Sequence, residues 1–220
     1  MIRLIGIFLL CLFSTLSFSY TFETKNYPIH SKERYELMKA YSKQHYGLNH
    51  ANLIDPQMIV IHYTAIPTLE SSLKAFKSAK IPSFRDQLTP YGDVNVGVHF
   101  VVSRDGEIYT LLPTTLMGRH TVGFNYTAIG IENVSSSGDG LTDKQIEANA
   151  MIIDQLLFKH PTIRYLIGHM EYMNQRYPHF KLFKALDKSY TPKIKVDPGF
   201  KFLKRLRHHL KKDYGIVLLK

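Results

Sequence analysis

The sequence predicts a mixed α/β fold, of the α+β kind, in which helices flank a central mixed β-sheet. Short apolar segments rich in β-branched residues recur along the chain and are typical of buried strands. Longer segments between them carry apolar residues at helical spacing. The 220 residues, 45% of them hydrophobic, are enough for one domain with a substantial core. We find no internal repeat in the sequence.

The predicted strands are short, and two of them end on a histidine. The first ends at His62 and the last at His169, while Glu132 lies inside the fourth. An Arg-Asp-Gly turn at residues 104–106 makes the second and third strands a hairpin. The predicted strands are residues 58–62, 96–103, 107–112, 128–134 and 164–168, with His169 directly at the end of the last.

Capping residues and apolar stripes predict four helices. Ser31 caps the first helix and Gly47 ends it. Residues 142–145 form a capping box before the third helix. The last helix is basic and amphipathic. The predicted helices run from Ser31 to Gly47, from Thr68 to about Lys80, from Thr142 to about Lys159, and from Phe200 to Lys212.

Residues 1–19 have the composition of a secretory signal. Arg3 precedes an apolar run over residues 4–13, and the small, polar stretch ending at Ser19 suits a cleavage site. We therefore expect an exported protein, periplasmic or secreted, with no stable membrane insertion after cleavage. An uncleaved anchor is the alternative. Cleavage would remove Cys11, the one cysteine, so nitrogen and oxygen would have to hold any metal.

The rest of the chain divides into two parts. Residues 20–57 form an N-terminal extension, and residues 58–220 form the main domain. Within the main domain, residues 171–194 are a long polar and aromatic insertion. We expect the extension to pack across the main domain.

The formal net charge of +10 favours anionic partners, such as nucleic acid, a membrane surface or a wall polymer. Plain solubility is an equal alternative, because net charge governs association and not fold. The export signal directs the chain away from nucleic acid, and no helix suited to reading bases is evident. We therefore expect no nucleic-acid partner.

Three residues could close a metal site. His62 and His169 each end a strand, and Asp197 lies in a tight Asp-Pro-Gly turn. Two neutral imidazoles and one carboxylate are ligand types of catalytic zinc, which keeps one position open for water. From these residues alone, packing in the core or in a loop is the more common alternative for each histidine.

Several short motifs occur along the chain in a particular order. They are Ile59-Val-Ile-His62-Tyr-Thr, Val98-His99-Phe-Val-Val-Ser-Arg-Asp-Gly-Glu-Ile, Gly118-Arg-His120, Asn125-Tyr-Thr-Ala-Ile-Gly-Ile-Glu132, Leu141-Thr-Asp-Lys-Gln, Ile167-Gly-His169 and Lys195-Val-Asp197-Pro-Gly. The ordered set, over roughly residues 58–210, resembles the zinc N-acetylmuramoyl-L-alanine amidases. That family includes bacterial anhydromuropeptide amidases, phage amidases and animal peptidoglycan-recognition proteins.

The resemblance implies a mixed sheet with flanking helices and one Zn2+ in a groove. It implies hydrolysis of the amide between the lactyl group of N-acetylmuramic acid and the L-alanine of the stem peptide. Peptidoglycan or muropeptides would then be the partner. The zinc ligands carry over as His62, His169 and Asp197.

Two further residues match catalytic positions of the family. Glu132 matches the catalytic glutamate, and a carboxylate on an apolar strand is costly without a partner or a task. General base catalysis is that task. Lys195, two residues before Asp197, could stabilise the oxyanion of the tetrahedral intermediate, although it could also be an ordinary surface lysine.

His120 and Asn125 match positions that line the substrate groove. Arg119 stands where the family usually has tryptophan, so we expect it to alter how the sugar or peptide is held. The insertion at residues 171–194 makes the spacing between the last two ligands, 28 residues, far longer than usual. We expect it to form a rim over the groove and to contribute to substrate choice.

A catalytically silent wall-binding module on the same fold is the competing interpretation. Some peptidoglycan-recognition proteins are of this kind. The presence of all three ligands together with Glu132 and Lys195 favours the enzyme, because a binding module does not need this combination.

Overall fold

Six strands form one mixed sheet in the computed structural model, which describes residues 23–220. The spatial order is β1-β4-β3-β5-β2-β6. Only β3 and β4 are antiparallel neighbours, and the other neighbouring pairs are parallel. The strands are β1 (Thr24–Asn26), β2 (Met58–Tyr63), β3 (Phe100–Val102), β4 (Ile108–Thr110), β5 (Ala128–Asn133) and β6 (Tyr165–Gly168). The predicted fold class is confirmed, whereas the predicted signal at residues 1–19 lies outside the described residues.

Within the described residues, four α-helices accompany the sheet. They are α1 (Lys32–Tyr46), α2 (Leu69–Lys77), α3 (Asp143–Lys159) and α4 (Phe200–Tyr214). The Ser31 hydroxyl caps α1, which ends at Gly47 with φ +69°. Both hydrogen bonds of the Thr142–Gln145 capping box are present at the start of α3. The predicted helix starts and stops are thus confirmed at these positions. Among residues 23–220, no helix has the length and apolar character needed to cross a membrane.

The two faces of the central strands have different neighbours. Ile59 and Ile61 of β2 pack in the largest group of buried apolar side chains. We call this group, which includes Ile152 and Ile153 of α3 and Leu203 and Leu206 of α4, the main core cluster. Met58 and Val60 belong to a second cluster, with Phe124 and residues of the insertion. Side chains alternate between faces along a strand. His62 therefore leaves the sheet on the face opposite α3 and α4.

The predicted strand over residues 96–103 is shorter in the structure. Only Phe100–Val102 is a strand, and from Gly97 backward the backbone bonds to segments outside the sheet. The Gly97 N–H donates to the Arg119 carbonyl at 3.0 Å. Similarly, α2 stops at Lys77, since Ser78 is extended and its carbonyl accepts from buried Arg34.

The segment before β2 is part of this architecture. β1 pairs in parallel with β4 at one edge of the sheet. Met38, Tyr41 and Tyr46 of α1 are buried in the main core cluster. The segment from Tyr20 to Gln57, predicted as an extension, thus supplies both a strand and core residues within its described part.

Candidate metal centre and groove

Three neighbouring parallel strands bring the predicted site residues to one edge of the sheet. His62 of β2 and Glu132 of β5 are register partners. Gly168 ends β6 as the register partner of Ile61, so His169 follows directly beside His62. Asp197 joins them through a backbone hydrogen bond from the Met170 N–H to its carbonyl, at 2.8 Å. Ligands that are distant in sequence thus meet because their strands are adjacent.

The three predicted ligands converge on one point. The Nδ1 atoms of His62 and His169 lie 3.1 Å apart, and each lies 3.1 Å from Oδ2 of Asp197. Burial lowers the pKa of His169 to about 4, and the nearby His62 adds to this effect. Burial opposes ionisation of Asp197, but hydrogen bonds with the two imidazoles outweigh it and hold its pKa below the usual range. The site therefore combines a carboxylate with a neutral His169.

These residues could hold a metal ion. A tetrahedral zinc ion with bonds of about 2.0–2.1 Å requires ligand atoms about 3.3 Å apart. The observed separations of 3.1 Å are close to that value. Two imidazole nitrogens and one carboxylate oxygen also match the donor types that zinc accepts. The spacing of the ligand atoms and the types of donor therefore both fit a zinc ion.

Glu132 faces the same cavity with an unsatisfied carboxyl oxygen. Among the described residues, its buried Oε2 finds no hydrogen-bond partner. Burial raises the pKa of Glu132 to about 7, and Asp197 adds to the rise while His62 and Arg85 oppose it. Such a group is costly to bury without a task, and a pKa near neutrality suits a group that takes up and releases protons.

His120 supports His62 from behind. Its Nδ1 lies 3.2 Å from Nε2 of His62, on the side of the ring away from the convergence point. The His120 ring lies over Gly130, where a Cβ would approach the ring Cγ to 2.8 Å. Glycine is therefore required at position 130 in the middle of β5, because a side chain would displace His120.

Asn125 is fully buried and positions the His120 backbone. Its Oδ1 accepts from the N–H of His120 at 2.9 Å and from that of Thr121 at 2.7 Å. Its Nδ2 donates to the Tyr41 hydroxyl of α1 at 3.2 Å. Asn125 is thus placed behind the cavity wall, while its contact with substrate stays a prediction.

Arg119 borders the cavity, but its guanidinium donates its hydrogen bonds to backbone carbonyls. Nη1 donates to the carbonyls of Gly92 and Val94, both at 2.7 Å, and Nη2 donates to that of Leu88 at 3.0 Å. The guanidinium also lies 5.0 Å from the ring centre of Tyr41. These contacts hold the loop before β3 in place. A direct role in substrate binding stays a prediction.

The cavity around these groups has a volume of about 450 Å³. Lys195 lines it beside Asp197, with its side chain partly buried. The lining also includes residues that no motif singled out, among them Arg85, Tyr91 and Tyr190, the last within the insertion expected to form a rim over the groove. Sequence offered no motif for them, since they lie on loops that reach the cavity only through the fold. Gly130 was also missed, although an isolated glycine inside an apolar strand is a known sign of close approach.

A sequence model of the family described as N-acetylmuramoyl-L-alanine amidase matches residues 52–199. The chain belongs to this family. The match includes all three candidate ligands together with Glu132 and Lys195. The predicted family resemblance is thereby confirmed, and peptidoglycan amidase activity or binding follows at family level. A search of curated proteins gives no significant match.

Several solved structures resemble the amidase fold of this chain at low identity. N-acetylmuramoyl-L-alanine amidase LysC from Clostridium intestinale URNW is 23% identical, over 59% of this chain and 83% of LysC, with a TM-score of 0.43. PGRP-SA from Apis mellifera is 22% identical, over 60% of this chain and 82% of PGRP-SA, with a TM-score of 0.44. A selenomethionine AmpD derivative is 20% identical, over 69% of this chain and 84% of AmpD, with a TM-score of 0.46. The family assignment rests on the sequence model.

Proposed function

We propose that this protein is a zinc-dependent hydrolase of the amide between N-acetylmuramic acid and the L-alanine of peptidoglycan or muropeptides. The observation that carries the proposal is the convergence of His62, His169 and Asp197 beside the unsatisfied carboxyl of Glu132. A ligand set alone would suit a structural metal. An adjacent carboxyl with a pKa raised to about 7 adds a proton-transfer group.

Zinc held by His62, His169 and Asp197 would supply Lewis acidity toward the amide carbonyl and the attacking water. Glu132 removes a proton from that water as its oxygen bonds to the carbonyl carbon. The same carboxyl then passes the proton to the amide nitrogen while the C–N bond breaks. The products are a lactyl carboxylate on the sugar and a free L-alanine amine on the peptide.

Lys195 is proposed to act on the carbonyl oxygen. Negative charge develops there as water adds, and an ammonium donor in a partly buried site stabilises it more than in bulk water. Lys195 lines the cavity two residues from Asp197, on the segment that delivers this ligand.

We further propose export to the periplasm or the cell exterior, from the signal-like residues 1–19. Peptidoglycan or muropeptides are the proposed partner, with neither nucleic acid nor stable membrane insertion required. The net charge of +10 is compatible with an anionic wall polymer.

The test is reconstitution of residues 20–220 with zinc and incubation with purified muropeptides. Mass spectrometry should detect free stem peptide, and a chelator should abolish its release. The alternative is a binding module without catalysis. Muropeptide binding without any release of stem peptide, in protein with bound zinc, would favour that alternative.

A further inference from the structure

The segments that carry His169 and Asp197 pack directly against each other. The Met170 N–H donates to the Asp197 carbonyl at 2.8 Å. A Cβ added at Gly168 would approach Cδ of Pro198 to 2.7 Å. Two of the three candidate ligands therefore depend on one close contact between segments, and a shift of either segment would move them relative to each other.

Glu171, the first residue of the insertion, is a buried carboxylate beside this contact. Only 4% of its surface is exposed. Its Oε2 accepts from the N–H of Gly168, the residue before His169, at 3.0 Å. Glu171 is not among the residues that line the cavity. Its carboxylate therefore holds the turn that carries His169 from outside the groove.

Arg207 of α4 forms a two-pronged ion pair with Glu171. Its Nη2 donates to Oε2 at 2.7 Å and its Nη1 donates to Oε1 at 3.2 Å. Nη2 also donates to the Leu166 carbonyl of β6 at 2.8 Å. Nζ of Lys220 is a more distant second cation, 3.9 Å from Oε1. A planar guanidinium can make these bonds together, so Arg207 joins α4 to β6 and to the turn that follows it.

The helix that carries Arg207 begins just after the third candidate ligand. Asp197 lies three residues before Phe200, where α4 begins. An α-helix is rigid over two turns, so the contacts of Arg207 fix the direction in which the chain leaves Asp197. The ion pair thus connects the turn that carries His169 with the helix that follows Asp197. We call Glu171 and Arg207 the clamp.

We propose that the clamp holds His169 and Asp197 at the separation that zinc binding requires. This inference rests on the zinc site of the proposed function and adds two positioning residues to it. The clamp acts through the backbone, because its hydrogen bonds go to Gly168 and Leu166. It maintains the 3.1 Å between Nδ1 of His169 and Oδ2 of Asp197. Without it, only a fraction of folded molecules would have the ligands aligned, and the apparent zinc affinity would fall by that fraction.

The test measures zinc affinity by competition with a chromophoric chelator, and the stability of the metal-free protein by urea unfolding. Glu171→Gln keeps the shape of the side chain but places an amide donor against another donor. Arg207→Lys keeps the positive charge and loses the planar fork. Each folded variant should bind zinc at least about tenfold more weakly than wild type. The double variant should lose little more than the weaker single variant, because either change opens the same clamp.

The matched control is Arg205→Lys, on the same helix. Arg205 pairs with Asp143 at the protein surface, so this change should leave zinc affinity unchanged.

A clamp that only stabilises the fold would lower the urea midpoint of the variants and leave the zinc affinity of the folded protein unchanged. That result would overturn the inference. If Glu171→Gln does not fold, Arg207→Lys decides, because the buried carboxylate keeps a cation beside it. If wild type binds zinc but releases no stem peptide, the proposed function fails and the affinity comparison still decides the inference. Wild type that binds no zinc would overturn both.

Discussion

His62 and Glu132 are register partners on adjacent parallel strands, and both side chains face the cavity. Hydrogen bonding between β2 and β5 therefore fixes the separation between a candidate metal ligand and the candidate base. Each strand follows the same alternation, since Ile61 and Ile131 face the main core while the next residue faces the opposite side. The proposed catalytic arrangement is thus built into the sheet.

Replacing Glu132 by glutamine should remove the base and keep the metal site. We expect turnover of muropeptides to fall by about 10²–10⁴-fold. Zinc content, measured by elemental analysis, should be unchanged, because Glu132 is outside the ligand set. The control is Glu147→Gln, at an exposed position on α3. Full activity in Glu132→Gln would exclude Glu132 as the general base.

Replacing Asp197 by alanine should weaken zinc binding by at least about 100-fold, because an oxygen ligand is lost while the two histidines stay in place. Competition with a chromophoric chelator measures the affinity. Wild type should also lose thermal stability when the metal is stripped, since a ligand that binds only the folded state stabilises it. His208→Ala, at an exposed position on α4, should match wild type in both assays. Identical affinities for wild type and Asp197→Ala would place the metal elsewhere.

Glu132 should make the chelator-treated protein less stable as pH rises. Burial raises its folded-state pKa from the usual 4.5 to about 7. Within this window the folded state holds a proton that the unfolded state has lost, so the free energy of unfolding falls with increasing pH. Relative to Glu132→Gln, wild type should lose up to about 3 kcal/mol across the window. Urea unfolding at several pH values measures this, and parallel pH profiles for the two proteins would contradict it.

Gly130→Ala should damage the site through His120. The new Cβ would meet the ring Cγ at 2.8 Å, and His120 contacts His62 at 3.2 Å. We expect a loss of about 1–3 kcal/mol in unfolding free energy, together with weaker zinc binding. The double variant Gly130→Ala/His120→Ala should recover part of the lost stability, because the ring is absent. Additive losses in the double variant would show that the two residues do not clash.

The ends of the strands and the ligand residues were predictable from sequence for a physical reason. Runs such as Met58–Ile61 are apolar because both faces of a central strand are buried, so the first histidine after the run stands out. The helix caps at Ser31 and Thr142 form with residues only three positions away in the sequence. They can therefore be predicted without knowledge of the tertiary contacts. The ordered motifs then connected His62, His169 and Asp197, which are far apart in the chain.

The surroundings of the site were not predictable, because they depend on contacts between distant segments. From the sequence, Arg119 is expected to affect how the substrate is held in the groove. In the structure, its guanidinium donates hydrogen bonds to backbone carbonyls about thirty residues earlier in the chain. The shortened strand at Phe100 has the same origin, since nearby backbone groups bond to non-neighbouring loops.

Hydrolysis of a purified muropeptide in heavy-oxygen water, followed by mass spectrometry of both products, tests the central claim most directly. The account predicts heavy oxygen in the lactyl carboxylate of the sugar product and none in the released stem peptide. The label should appear with zinc-loaded wild type and be lost with Glu132→Gln. Label in the peptide product, or no cleavage by zinc-loaded wild type, would contradict the account.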